Sequence, residues 1–141
     1  MNKKVEFFFD VGSPTAYLAY TQLPSIAIRA SAEIVWRPIL LGGLFKAVGN
    51  QSPAFLAPKS AWMASDLPRF ASRYGVPYRK NDYFPINTLS LMRGAVAAMQ
   101  EDILESYLAV GDGGSCWNFC QHFSRSHIRI SGLPVFFLPK H

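Results

Sequence analysis

One serine, Ser13, lies where an apolar segment is expected to turn into a helix, and this position favours anion binding. Residues 5–9 form a short aromatic and β-branched run, and Gly12 follows as a turn residue. Because Pro14 suits the first position of a helix, Ser13 is predicted to be the N-cap. A helix N-terminus carries unpartnered backbone N–H groups and the positive end of the helix dipole, so it stabilises a thiolate, carboxylate or phosphate. The alternative is that Ser13 is an ordinary structural cap.

The two cysteines give little support for metal or dithiol redox chemistry. Cys116 and Cys120 are spaced C-x3-C, with His122 and His127 downstream. This arrangement matches no strong zinc-site pattern and is not a C-x-x-C redox motif, so we expect free thiols and no metal. A serine nucleophile would need a base, and none of the three histidines lies near Ser13 in the sequence or in a hydrolase motif. Ser13 is therefore not expected to act as a nucleophile.

The elements around Ser13 read as a βαβ unit followed by helices. A strand over residues 5–9, a helix over 14–30 and a strand over 33–38 predict two parallel strands. Residues 39–50 predict a short helix or a loop, and residues 59–74 a helix that ends at Gly75 and is kinked or restarted at Pro68. Helical periodicity resumes over 88–110. Residues 111–131 have no clear period, and 132–138 read as a final strand entered through Pro134.

Composition and charge narrow the class of protein. Half of the 141 residues are hydrophobic and 16% are charged, which predicts one compact domain and not a disordered chain. The formal charge is +5, but the 14 basic residues are scattered, which favours small anionic ligands over nucleic acid. No apolar run is long enough to cross a membrane and no signal peptide is evident, so a cytoplasmic location without membrane attachment is expected.

Four separated motifs together resemble a known family. They are FDVGSPTAYLA at residues 9–19, WRPILLGGLF at 36–45, Gly49-Asn50, and PINTL at 85–89. In this order they are similar to the 2-hydroxychromene-2-carboxylate isomerases, which are grouped with kappa-class glutathione transferases and DsbA-like thioredoxin folds. The resemblance covers residues 4–105. It implies an α/β fold: a single thioredoxin-like domain over 1–141, with a helical insertion at 39–110 and an atypical tail at 111–141.

The resemblance also implies a cofactor, glutathione, and a set of residues that bind it. Ser13 takes the catalytic position, where its hydroxyl hydrogen-bonds the glutathione sulfur. Asn50 and Lys59 match residues that hold glutathione and the substrate carboxylate, and Leu133, before Pro134, matches a residue whose backbone pairs with the glutathione peptide. Physical chemistry supports this role for Ser13, because a helix N-terminus and a hydroxyl donor lower the pKa of a thiol from its usual value near 8.5.

The activity that the resemblance implies is isomerisation of 2-hydroxychromene-2-carboxylate, or a close aromatic analogue, to trans-o-hydroxybenzylidenepyruvate during aromatic hydrocarbon breakdown, in a homodimer. Trp36, Arg37, Phe45, Trp62 and Asn87 are candidates for the substrate pocket, although Trp36 and Trp62 are equally suited to a core. Two alternatives stay open. One is a glutathione transferase or reductase of the same fold, and the other is a catalytically silent chain that binds an anion or a partner subunit.

The chain also departs from the family. Members usually continue with a further strand, an aspartate-containing turn and a C-terminal helix, for which residues 111–141 offer no counterpart. The resulting sheet would have at most three strands, with an uncovered face and an exposed edge. The sequence therefore predicts marginal stability as a monomer, or a partner subunit that covers the gap.

Overall fold

The structure, a computed structural model, describes residues 3–109. Its elements follow one another as β1 (Lys3–Phe9), α1 (Pro14–Ala30), β2 (Ala32–Pro38), α2 (Leu41–Ala47), a 3-10 turn (Pro53–Phe55), α3 (Ala57–Tyr74), α4 (Leu89–Gln100) and α5 (Leu104–Ala109). The strand predicted over 132–138 lies outside the described residues.

The predicted βαβ unit is confirmed. The strands β1 and β2 pair in parallel, with Lys3 opposite Ala32 at one end and Phe9 opposite Pro38 at the other. Helix α1 connects them and ends at Ser31, which adopts a left-handed conformation with a φ of 49°. The two strands bring their carboxyl ends, and hence Asp10 and Ile39, to the same edge of the sheet.

One hydrophobic core joins the βαβ unit to the helices that follow it. Phe9, the last residue of β1, and Val11 after it are buried together with residues from α1, α3, α4 and α5. Those helical residues are Tyr17 and Leu18 of α1, Leu67 and Ala71 of α3, Met92, Ala95 and Ala98 of α4, and Leu104, Tyr107 and Leu108 of α5. The helices after β2 therefore pack as part of the same domain.

The other face of the two strands carries charged pairs. Lys4 Nζ lies 3.2 Å from Glu33 Oε2, and Arg37 Nη2 lies 2.6 Å from Glu6 Oε1. All four side chains are about half exposed, so each pair adds little stability. The same face carries Phe8, which is 57% exposed, so this face of the sheet does not belong to the core.

Helix α3 runs continuously through Pro68, so of the two outcomes expected at this proline, a kink or a restart, the restart does not occur. One detail of the helical region differs from the sequence-based expectation. The long helix expected over 88–110 is two helices, because the chain turns at residues 101–103, where Asp102 has a φ of 56°. The turn lets α5 fold back onto α4, and the two helices meet at Gly94, where an added Cβ would lie 2.8 Å from Tyr107 Cζ.

Candidate functional site

A cleft of about 980 Å³ opens at the carboxyl end of β1, beside the start of α1. Four segments form its walls: the N-terminus of α1, helix α2, the first two turns of α3 with the chain before it, and the chain at 84–88 before α4. Six residues predicted for the site line this cleft. They are Ser13, Phe45, Asn50, Lys59, Trp62 and Asn87.

Ser13 is the N-cap of α1, as its sequence context predicts. Its backbone is extended and its Oγ accepts a hydrogen bond of 3.3 Å from the N–H of Ala16. The same Oγ lies 2.9 Å from Thr15 Oγ1, and either hydroxyl can be the donor. When Thr15 donates, the Ser13 proton is available to a ligand. Capping and ligand binding therefore do not exclude each other at Ser13.

The two asparagines of the cleft present donors, because their carbonyl oxygens are already used. Asn50 Oδ1 accepts from the N–H of Gln51 at 2.8 Å, and Asn87 Oδ1 accepts from the N–H of Leu89 at 3.0 Å. A backbone N–H can only donate, so the side-chain atom that meets it is the carbonyl oxygen. Within residues 3–109 neither –NH2 group has a hydrogen-bond partner, so both can donate to a ligand. The cleft therefore suits a ligand rich in hydrogen-bond acceptors.

Two lysines add positive charge to the cleft. Lys59, near the start of α3, and Lys46, in the last turn of α2, are both exposed and line its walls. Neither forms an ion pair within residues 3–109. Lys46 was not among the predicted residues, and its only sequence signal is its place next to Phe45. The pair favours an anionic ligand carrying one or more carboxylates.

Aromatic side chains supply the apolar part of the cleft. Phe45 is half-buried, whereas Phe55 and Trp62 are 65% and 63% exposed. Large aromatic surfaces left exposed around a concave site are typical of ligand binding. Trp62, which was equally suited to a core or a pocket, lies in the cleft, and Phe55 joins it without having been predicted.

Trp36 and Arg37 do not line the cleft, which corrects their assignment to the substrate pocket. Trp36 packs in the core, with its ring centroid 5.7 Å from that of Phe7 and 6.1 Å from that of Phe9. Arg37 pairs with Glu6 on the opposite face of the sheet. Neighbouring residues of a strand point to opposite faces, so these two side chains could not have shared one pocket.

A buried carboxylate, Asp10, lies at the base of the cleft and was not predicted as a site residue. It is 3% exposed, and it follows the last residue of β1. Oδ1 accepts from the N–H of Gly12 at 2.9 Å, and Oδ2 accepts from the N–H of Leu41 at 2.8 Å and the hydroxyl of Thr88 at 3.0 Å. Asp10 thus bonds to three segments of the cleft wall.

A second, smaller pocket of about 60 Å³ is also lined by the turn residues Gly12, Ser13 and Pro14. Tyr17 and Tyr78 line it, and the Tyr17 hydroxyl donates to the carbonyl of Pro77 at 2.8 Å. Burial raises the pKa of both phenols above 10. The two tyrosines therefore stay neutral at physiological pH and act as hydrogen-bonding and packing groups.

Other predictions concern residues outside the described range. Leu133, Cys116 and Cys120 all lie there, so their predicted roles stay predictions. Within residues 3–109, no group of three His, Cys, Asp or Glu side chains is placed to hold a metal ion. None of the helices described here is long and apolar enough to cross a membrane.

The fold and the cleft define the class of protein, a thioredoxin-like α/β domain with its candidate site at the start of α1. A family profile described as DSBA-like thioredoxin domain matches residues 4–110, and the chain belongs to that family. This confirms the predicted fold class and the relationship to the DsbA-like group.

Relatives within the family are enzymes. The chain is 40% identical over 79 residues to 2-hydroxychromene-2-carboxylate isomerase of Sphingobium xenophagum, covering 55% of this chain and 40% of that protein. It is 32% identical over 100 residues to glutathione S-transferase kappa 1 of Homo sapiens, covering 70% and 42%. A solved structure of a 2-hydroxychromene-2-carboxylate isomerase superposes with a TM-score of 0.51 at 28% identity, covering 75% of this chain and 62% of that one. The chain thus spans about two fifths of these two curated relatives.

Proposed function

We propose that this chain binds glutathione in the cleft and isomerises 2-hydroxychromene-2-carboxylate or a close aromatic analogue. The observation that carries the proposal is that the Ser13 hydroxyl, at the N-terminus of α1, lines the same cleft as Lys59 and Asn50. The reaction is taken from the names of the isomerases that the chain resembles.

The lining of the cleft fits glutathione group by group. A helix N-terminus with a hydroxyl donor stabilises a thiolate, which requires donors and positive potential. The free –NH2 of Asn50 suits a peptide carbonyl, since its own oxygen is occupied by Gln51. Lys46 and Lys59 suit carboxylates, which glutathione carries at both ends. When bound, glutathione supplies a thiolate that can add reversibly to a conjugated double bond and so permit rotation about it.

In this proposal the residues of the protein bind and orient glutathione and the substrate. Ser13 donates a hydrogen bond at the sulfur position and keeps the thiol ionised at neutral pH. Lys59 neutralises a carboxylate, and Phe45 with Trp62 offers apolar surface to an aromatic ring. As the resemblance implies, we also propose that the substrate is a small aromatic carboxylate from hydrocarbon breakdown and that the protein is a homodimer. A cytoplasmic location stays a prediction.

A second candidate is a kappa-class glutathione transferase. It is favoured by the length of the alignments, since the human kappa transferase matches 70% of this chain and the Sphingobium isomerase 55%. Such an enzyme would use the same thiolate site with a different electrophile. Conjugation of 1-chloro-2,4-dinitrobenzene without chromene isomerisation would select this candidate.

The proposal is tested by assaying chromene isomerisation with and without glutathione, in the wild type and in Ser13→Ala. We expect turnover that requires glutathione and falls strongly in Ser13→Ala. The matched control is Ser25→Ala, which removes a serine hydroxyl from α1 where it donates to the carbonyl of Gln22 and not into the cleft. Full activity in Ser13→Ala would remove Ser13 from the mechanism. Absence of glutathione binding in the wild type would favour the catalytically silent alternative.

A further inference from the structure

Asp10 connects segments that are far apart in the sequence but adjacent in the cleft. Its Oδ1 bonds to the N–H of Gly12, one residue before Ser13, and its backbone carbonyl accepts from the N–H of Ser13 at 2.9 Å. Its Oδ2 is shared by the N–H of Leu41, the first residue of α2, and by the Thr88 hydroxyl. Every wall except α3 is thereby attached to one carboxylate.

These hydrogen bonds are shielded from solvent, and the low local dielectric strengthens them. Asp10 and Thr88 are 3% and 5% exposed, and a buried carboxylate is costly unless donors surround it. All three donors here point at the carboxylate, so charge-assisted hydrogen bonds replace its lost hydration. An asparagine at this position would turn its –NH2 towards at least one of these donors. The site is therefore built for a carboxylate and not for its amide.

Gly12 makes close approach between the Ser13 turn and Thr88 possible. A Cβ at residue 12 would lie 2.6 Å from Thr88 Cγ2 and 3.3 Å from Asp10 Oδ1. Real carbon atoms do not approach so closely without one of them moving. The hydroxyl of Thr88 thus bonds to Asp10 while its methyl group packs against Gly12, and Asn87 beside it faces the cleft.

From this arrangement we infer that Asp10 is a positioning residue, which with Gly12 and Thr88 holds Ser13 in register with the α2 and 84–88 walls of the cleft. Both carboxylate oxygens bond to the protein itself, Oδ1 to the N–H of Gly12 and Oδ2 to Leu41 and Thr88. Asp10 acts through Ser13, whose backbone it anchors, and through Asn87, whose neighbour it holds. The functional part of this inference rests on the proposed binding of glutathione.

Whether Asp10 holds these segments together is tested without any ligand, by amide hydrogen exchange of the full chain. Thr88→Val removes the hydroxyl and keeps the shape of the side chain, so we expect faster exchange at Gly12 and Leu41, whose N–H groups bond to Asp10. Thr21→Val is the matched control, because its hydroxyl donates to the carbonyl of Leu18 on α1 away from the cleft. Unchanged exchange at both amides in Thr88→Val would overturn the inference.

A rescue experiment separates positioning from general damage. Gly12→Ala alone is expected to disturb the turn, because its new Cβ would collide with Thr88 Cγ2. Thr88→Ser deletes that methyl group and keeps the hydroxyl that donates to Asp10. The double variant Gly12→Ala/Thr88→Ser should therefore recover the exchange protection that Gly12→Ala loses. If the single and the double variant lose exchange protection equally, the Gly12–Thr88 contact does not fix the position of Ser13 relative to the 84–88 wall.

The functional part is read from glutathione binding by calorimetry and from the pKa of the bound thiol at saturation. We expect Thr88→Val to weaken binding about tenfold and to raise that pKa, since a hydrogen bond to a charged group is lost. Thr21→Val should move neither quantity. If the wild type binds no glutathione, the proposed function fails while the exchange data still decide the positioning role. If it binds and Thr88→Val changes neither quantity, the role of Asp10 in positioning Ser13 is overturned.

Discussion

The hydroxyl oxygens of Ser13 and Thr15 lie 2.9 Å apart at the N-terminus of α1. Both residues line the cleft, and Ser13 Oγ also accepts from the N–H of Ala16. When Thr15 is the donor of the pair, Ser13 Oγ accepts from two neighbours and its own proton can be donated to a ligand. The Ser13–Thr15 pair therefore adds a second hydroxyl to the proposed anion site, for which the sequence indicates only Ser13.

Thr15→Val tests this pair. We expect the variant to raise the pKa of bound glutathione thiol, by less than Ser13→Ala does, and to weaken binding about threefold, because a part-exposed hydroxyl contact contributes modestly. Thr15→Ser retains the hydroxyl and serves as the control, which should bind as the wild type does. A thiol pKa that is unaltered in Thr15→Val would exclude Thr15 from the site.

Gly94 and Tyr107 set how closely α4 and α5 approach. A Cβ at residue 94 would overlap the Tyr107 hydroxyl, which donates to the carbonyl of Leu91 at 2.9 Å. We expect Gly94→Ala to lower the free energy of unfolding by about 2 kcal/mol through overpacking, as measured by urea denaturation. The control is Gly42→Ala, where nothing lies within 4 Å and helix propensity should raise stability by about 0.5 kcal/mol. A Gly94→Ala chain as stable as the wild type would contradict the packing of α5 on α4.

Three tyrosines, one buried and two partly buried, predict how stability depends on alkaline pH. Burial raises the pKa of Tyr17 and Tyr78 in the folded chain, and burial followed by the charge of Glu105 raises that of Tyr20. Because the folded pKa lies above the unfolded value of 10, the stabilisation is complete below about pH 10 and is lost as the pH rises through the folded pKa. Tyrosinate absorbance should show native phenols that ionise later than in urea, and Tyr17→Phe should remove one of them. Coincident native and unfolded titrations would contradict this prediction.

The two lysines of the cleft predict a charge-dependent affinity. We expect Lys59→Met and Lys46→Met each to weaken glutathione binding about threefold at low salt, with a smaller effect at high salt, since exposed charges are screened. Lys4→Met changes the net charge equally but lies on the face of the sheet outside the core, where it pairs with Glu33. Calorimetry at two ionic strengths measures the difference. If Lys4→Met weakens binding as much as Lys59→Met, the effect comes from net charge and not from the cleft.

The sequence predicts this fold where the signals are local. The Gly12-Ser13-Pro14 turn and the boundary at Gly75 follow from capping and proline geometry, and both were found where expected. The break between α4 and α5 was missed, because the apolar period runs across it. The turn at residues 101–103 brings Tyr107 against Gly94.

The site is harder to predict, because tertiary packing decides it. Asp10 and Thr88 are 78 residues apart, and no local pattern pairs them. Lys46 and Phe55 face the cleft only because α2 and the 3-10 turn fold over the end of the sheet. The positions taken from the family resemblance, Asn50, Lys59 and Asn87, do line the cleft, while strand alternation alone could have separated Trp36 from Arg37.

The most direct test of the central claim is a pH titration of the ultraviolet absorbance of glutathione thiolate bound to the wild type and to Ser13→Ala. The account predicts that bound thiol ionises well below its value near 8.5 in the wild type and returns towards that value in Ser13→Ala, while Ser25→Ala titrates as the wild type does. A bound thiol that ionises at the same pH in Ser13→Ala and the wild type would contradict the account, because Ser13 would then not be the group that stabilises the thiolate.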